Sequence, residues 1–358
     1  ANTSFNLQLN MPVFDGFRIS NDIAARKLDL QAAVETLNKA KDELAINIAS
    51  FYLQVLYNKE VMNIALLQVE LTRTQVNQTE ALVGAGKVPA SQLYDIKAQL
   101  ANDEVTLVEA KNNVDLALLD LAQRLELERE DKGFDIEEPE IQDAVAQYMG
   151  SILPPDHIYQ NAVLIKPQIR EQTYLLESQK KMLKVAEAGY YPTLNLNANY
   201  SNGFYYYYTG LPEGQKNMAF SNQLKTNEGK TIGFSLSIPI FNRFQVRNSV
   251  RTARINIINR ELMVENSKKA LYKEIQQAFY NATAAQEKYK ASEKSVDASK
   301  EAFSYAQERY NAGKSTVFEY NESKTKYAQS LSEQAQAKYN FIFRAKILDF
   351  YNGISLTL

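Results

Sequence analysis

The chain contains no cysteine and no tryptophan, a single histidine (His157), and only nine prolines and thirteen glycines in 358 residues. Without cysteine there is no disulfide framework, no thiolate nucleophile and no zinc site of the cysteine type. One histidine leaves no pair to hold a metal and at most one imidazole base. His157, beside Pro155-Asp156, reads as a surface or helix-start residue and is assigned no chemistry. No nucleophile–base–orienter set is visible, so neither an enzyme nor a cofactor is expected. Charge of one sign is lacking as well. Forty basic residues face 42 acidic ones for a net charge of -2, which excludes the basic footprint of a nucleic-acid binder. Mean hydropathy is -0.38, and no window approaches the ~20 apolar residues of a spanning helix. Nor is there an N-terminal basic-plus-apolar leader. Any membrane crossing must therefore be made by strands.

The few helix breakers are placed unevenly. Neither glycine nor proline occurs from Phe17 to Val83, from Ile240 to Ala312, or from Lys314 to Asn352. Ala, Leu, Gln, Glu and Lys fill these stretches, with apolar residues at helical spacing such as Leu44, Ile48, Phe51 and Val55, or Leu100, Leu107, Val114, Leu118 and Leu121. A helix over either of the first two stretches would reach roughly 100 Å at 1.5 Å per residue. Such helices cannot bury a globular core alone and read as coiled-coil partners.

Three segments have period 2 instead. Phe5, Leu7, Leu9 and Met11 alternate with Asn6, Gln8 and Asn10. Leu194, Leu196, Ala198 and Tyr200 alternate with Asn195, Asn197 and Asn199, and Ile232, Phe234, Leu236 and Ile238 alternate with Gly233, Ser235 and Ser237. One face is apolar and the other is polar without charge, which suits a water-filled barrel with Leu194, Leu196, Phe5, Leu7, Phe234 and Leu236 toward lipid. A soluble β-sandwich edge fits the alternation too. From Gly203 to Gly229, Gly and Pro residues and the run Tyr205-Tyr206-Tyr207-Tyr208 predict an outer loop whose tyrosines meet the headgroup region.

An internal repeat ties these pieces together. Met11-Pro12-Val13-Phe14-Asp15-Gly16-Phe17 matches Ile238-Pro239-Ile240-Phe241-Asn242-Arg243-Phe244 at an offset of 227 (239 − 12), and Ala85-Gly86-Lys87 matches Ala312-Gly313-Lys314 at the same offset. The register continues through Lys97/Lys324, Ala101/Ala328 and Leu121/Leu348. A constant offset over this distance predicts two copies of one unit: strand, Pro-aromatic corner, long helix, Gly turn, returning helix. Strand pairing is expected to stop at Pro12 and Pro239, which lack an N–H. The first copy is placed at 1–132 with its turn at 84–89, and a mixed connecting region at 133–165. The second copy is placed at 166–358, with a helix, strands at 191–203 and 230–239, and its turn at 311–316.

On the strand–corner–helix motifs at 5–17 and 234–244, on Ala188-Gly189-Tyr190-Tyr191-Pro192-Thr193-Leu194, and on the turn segments 83–88 and 309–317, the sequence resembles the TolC-like outer-membrane efflux family. The resemblance covers nearly the whole chain, in order. It implies a mainly α chain with a small β part, a homotrimer sharing one transmembrane barrel, and a helical tunnel through the periplasm. A periplasmic adaptor and an inner-membrane transporter would deliver small molecules or secreted protein to this passive exit duct, with no cofactor. The two turns would be docking tips, at Gly86, Lys87, Val88 and at Gly313, Lys314, Ser315, Thr316. Glu319 and Glu322 match acidic positions that line the family's tunnel constriction. Tyr310 matches a tyrosine that bonds across to the first tip, but Gln92 stands where its acidic partner would be, and Ser315 where the family has an arginine. The first copy also begins at its second strand, so a helix and a strand are expected ahead of Ala1. The competing reading is a periplasmic coiled-coil scaffold or adaptor, which would have no use for the strands.

Overall fold

A computed structural model describes residues 1–127, 133–137, 141–150, 152–209 and 216–356. They form two compact units, 1–36 with 170–267, and 37–169 with 268–358. The chain is mainly helical with one small sheet.

The sheet lies in the first unit. β1 (Asn2–Phe14), β2 (Thr193–Tyr205) and β3 (Gly229–Ser237) pair antiparallel in the order β1-β2-β3. The register stacks like on like. Met11 lies opposite Leu196 and Leu196 opposite Phe234, while Asn10 lies opposite Asn197 and Asn197 opposite Gly233. Because side chains alternate, this register gathers Leu7, Leu9, Met11, Leu196, Ala198, Ile232, Phe234 and Leu236 on one face, joined toward one end by Asn202 and Lys230, and Gln8, Asn10, Asn195, Asn197, Asn199 and Ser235 on the other. The apolar face is bare: Leu7 is 72% exposed and Phe234 71%. Lys230 is the single charged residue in the three strands.

At the corner, β3 ends at Ser237, ahead of Pro239 as expected. β1 does not end at Pro12. Pairing continues to Phe14↔Leu194 across an irregularity between Pro12 and Phe14. A bulge absorbs the missing N–H, so proline interrupts the ladder without terminating it. Gly16 and Phe17 (φ 67° and 63°) and Arg243 and Phe244 (φ 52° and 63°) then turn the chain through left-handed backbone. Each corner is braced by edge-to-face rings, Phe14–Phe17 at 5.3 Å and Phe241–Phe244 at 5.6 Å.

Four long helices follow these corners. α1 (Arg18–Gly84) and α7 (Gln245–Asn311) have 67 residues each, and α2 (Ala90–Arg124) and α8 (Val317–Tyr351) have 35 each. Both pairs of bounds differ by 227. α3 (Ile141–Gly150), α4 (Pro155–Ile165) and α5 (Pro167–Glu187) occupy the region between. His157 is exposed in the first turn of α4. Among the described residues, no helix is long and apolar enough to cross a membrane.

The core of the second unit sits where α3 and α4 meet α7 and α8. Tyr148 packs with Ala285, Tyr289 and Phe341, and Ile158 and Ala162 pack with Leu271, Ile275 and Leu348. Val55, Ala117 and Leu121 join α1 to α2.

The Gly203–Gly229 segment is not only loop. α6 (Phe220–Thr226) forms inside it, and Gly210 to Gln215 lie outside the described residues. Buried Gln223 holds α6 against β2, accepting from the Tyr205 N–H at 2.9 Å and donating to the carbonyls of Tyr205 and Met218 at 2.9 and 2.8 Å. That anchoring is tertiary, and the local sequence carries no helical repeat to announce it.

Candidate functional site: the helix turns and the start of α8

Both turns are built the same way. Gly86 (φ 68°) donates to the Val83 carbonyl while Lys87 donates to that of Leu82, both at 2.9 Å. Gly313 (φ 70°) and Lys314 repeat this with Tyr310 and Arg309, also at 2.9 Å. This is the Schellman arrangement, which satisfies the last carbonyls of α1 and α7 and needs a left-handed residue. A Cβ at either glycine would meet nothing within 4 Å, so backbone conformation selects glycine here, not space. Gly86, Lys87, Gly313, Lys314 and Thr316 are exposed, and Val88 and Ser315 are half-buried.

The helix starts differ. Thr316 caps α8, its hydroxyl oxygen accepting from the Glu319 N–H at 3.2 Å. Pro89 occupies the corresponding place before α2, with no side-chain cap. Ser315 stays local, its hydroxyl donating to the Thr316 carbonyl at 3.4 Å.

Glu319 and Glu322 are exposed on one side of the first turns of α8. Each has a cation beside it: Arg309 lies 3.7 Å from Glu319 and Lys326 lies 2.7 Å from Glu322. Exposed pairs of this kind contribute about 0–1 kcal/mol. They matter more because the two cations formally cancel the charge of the two carboxylates at this surface. Tyr310 lays its ring against Tyr320 at 5.2 Å, and among the described residues no hydrogen bond joins it to Gln92. Tyr320 is itself 2% exposed between Tyr310 and Phe303. Burial pushes its hydroxyl up to about 12, and among the described residues the oxygen has no hydrogen-bond partner.

Behind Glu319 and Glu322, α8 buries Tyr320, Lys324 and Ala328 at four-residue spacing. Lys324 is 1% exposed. Its ammonium donates to Asp103 Oδ2 of α2 and to Thr72 Oγ1 of α1, each at 2.6 Å. Thr72 Oγ1 also lies 2.5 Å from Asp103 Oδ2 and 2.9 Å from the Gln68 carbonyl, and Gln99 donates to Asp103 Oδ1 at 2.8 Å. Both carboxylate oxygens are thus occupied. Sequence reasoning treated Lys324 only as the counterpart of Lys97 and missed Asp103 and Thr72. The available signal was heptad spacing: Ile96, Asp103, Ala110 and Ala117 form one seven-residue series of buried positions. Among the described residues no group of His, Asp or Glu could hold a metal.

Comparison with known proteins fits this architecture. The chain is 22% identical over 353 residues to the outer membrane protein TolC of Escherichia coli, covering 95% of this chain and 67% of TolC. Among solved structures, CusC superposes with a TM-score of 0.78 at 14% identity, over 99% of this chain and 78% of that one. The Campylobacter jejuni CmeC outer membrane channel superposes with a TM-score of 0.72 at 18% identity, over 100% and 72%. The model of the outer membrane efflux protein family matches residues 1–125 and 158–345. The chain belongs to that family, and is an outer-membrane channel protein rather than an enzyme.

Proposed function

We propose that the chain is one subunit of a homotrimeric channel-tunnel, a passive exit duct through the outer membrane and periplasm. Small molecules or secreted protein would reach it from an inner-membrane transporter through a periplasmic adaptor docked at the two tips. The observation that carries this reading is the sheet itself: three strands, bare and apolar on one face and uncharged but polar on the other, run through tight corners into 67-residue helices. Three strands leave open edges, whose unpaired backbone groups cost several kcal/mol each in lipid. A shared barrel removes those edges. Two copies of one unit, at 1–132 and 166–358 about a connecting region, are supported by element bounds and left-handed corner and turn residues that recur at 227.

The chain has no cysteine, so each introduced one is the sole thiol. In reconstituted channels, a membrane-impermeant thiol reagent should label cysteines at Asn195, Asn197, Gln8 and Ser235 in preference to Leu194, Leu196, Leu7 and Leu236. The reverse preference would sink the barrel. Around one axis, Glu319 and Glu322 would contribute six carboxylates, and the mouth would attract cations to the extent that these, and not Arg309 and Lys326, face the lumen. Glu319→Gln with Glu322→Gln should therefore weaken cation selectivity in planar bilayers. Unchanged selectivity would remove these residues from the constriction.

A further inference from the structure

We propose that Thr72, Asp103 and Lys324 form a clasp that fixes the rotation and register of α8, and so positions the constriction face of that helix. The proposal rests on the reading of Glu319 and Glu322 as constriction residues, and the test separates the two. Three observations lead to it. The cluster joins three helices, α1, α2 and α8, through side chains that are each 6% exposed or less. It lies on the buried stripe Tyr320–Lys324–Ala328, while Glu319 and Glu322 lie on the opposite, exposed side of the same two turns. Turning or sliding α8 to move those glutamates would pull the ammonium out of its two contacts.

The third observation is that the cluster occurs once. At the corresponding positions 227 residues away, Ser299 and Ser330 share one hydrogen bond at 2.5 Å between α7 and α8. The counterpart of Lys324, Lys97, points to solvent and meets Glu80 at 3.4 Å. If the cluster only glued helices together, neutral or apolar residues would do as well, because a buried ion pair adds little net stability over a packed apolar substitute. What directional charged groups supply is a single permitted alignment, since any other leaves a buried charge unpaired. Thr72, Asp103 and Lys324 act through the helix and touch no cargo, so they are positioning residues.

The test uses the full-length channel in planar bilayers, with thermal unfolding measured alongside. The informative variant is Lys324→Met with Asp103→Leu and Thr72→Val, which removes every charge while keeping volume. It should melt close to the parent yet open severalfold more often. A variant that melts like the parent and also gates like it overturns the clasp. Should the triple variant fail to assemble, Thr72→Val alone leaves the ion pair intact and should still raise opening frequency, whereas parental gating there counts against the proposal. Glu319→Gln with Glu322→Gln, measured separately, isolates the other reading. If that variant keeps its selectivity while the triple variant still leaks, the clasp stands as a closure device and the glutamates drop out of the constriction.

Discussion

α1 with α2 and α7 with α8 share lengths, bounds and turns, yet they fill their inner polar positions differently. Where the first pair sets Thr72 against Asp103, the second sets Ser299 against Ser330. Where the first exposes Lys97, the second buries Lys324 and sends it across to the first pair. A second tie runs the same way: Glu60 of α1 accepts from Lys338 at 2.6 and 2.9 Å and from the Tyr339 hydroxyl at 2.8 Å. Among the described residues its counterpart Glu287 meets Lys290, three residues on in the same helix. Helix bounds and turns thus recur at an offset of 227 while these cross-ties do not. Matching bounds set length and spacing, and unmatched side chains decide which helix is held to which.

That asymmetry should be large when measured as stability. Lys324→Met strands a buried carboxylate with only Thr72 and Gln99 to satisfy it, and should cost roughly 3–5 kcal/mol. Ser330→Ala removes neutral hydrogen bonds to Ser299 and to the Tyr327 carbonyl in its own helix, and should cost about 0.5–1.5 kcal/mol. Chemical unfolding of the detergent-solubilised protein compares them directly. Equal costs would mean that the two pairs differ in chemistry but not in energy.

The frame was legible from the sequence, and the ties were not. Breaker-free spans and the Gly turns located α1, α7 and α8 and the start of α2 to within a few residues, because helix length and termination are local properties, but not the end of α2, which stops at Arg124 ahead of 132. The strands followed from alternation, and their apolar-to-apolar register from the same pattern. Pro12 misled because a proline removes one donor, which a bulge accommodates. α6 was missed because Gln223, a residue with no marked preference, holds it through tertiary bonds. Asp103 and Lys324 look like any of the many charged residues of solvated helix faces. Only their place in a series of otherwise buried positions distinguishes them, and that series says nothing of the partner helix.

The comparison extends to the other buried lysine. Lys166, between α4 and α5, is 6% exposed, with its ammonium 3.4 Å from the Phe350 ring centre and 3.8 Å from Asp42. Lys324 by contrast has a carboxylate at 2.6 Å. Burial pushes Lys166 down to about 8, against the smaller upward pull of Asp42. The unfolded chain holds that proton up to about pH 10.4. Below pH 8 both states are protonated and the cost of burying the charge is fully present. Between pH 8 and about 10.4 the folded state releases the proton while the unfolded state keeps it, so stability rises with pH. Lys166→Met should abolish that rise and add about 2–3 kcal/mol at neutral pH. A parent whose stability is flat across this window would show that the ring and Asp42 fully offset the burial.

The smallest expected effect tests the frame where it departs from its own rule. α1, α7 and α8 each end on a left-handed glycine, at Gly86, Gly313 and Gly353, but α2 ends on Glu126 at φ 54°. The hydrogen bonds are those of the other ends: Leu127 donates to the Ala122 carbonyl at 3.0 Å and Glu126 to that of Gln123 at 3.2 Å, as Ile354 and Gly353 do to Asp349 and Phe350. A side chain in this conformation costs roughly 1–2 kcal/mol. A carboxylate at a helix C-terminus adds a small repulsion from the exposed carbonyls. Glu126→Gly removes both penalties, while the freer unfolded backbone of glycine takes back up to about 1 kcal/mol. The net expectation is a gain of about 0.5–1 kcal/mol in unfolding free energy with channel conductance unchanged. Gly313→Ala, placed in the same conformation with open space around it, should lose about the same amount. A loss at both positions would mean that Glu126 is held by its side chain, and that the four helix ends do not obey one rule.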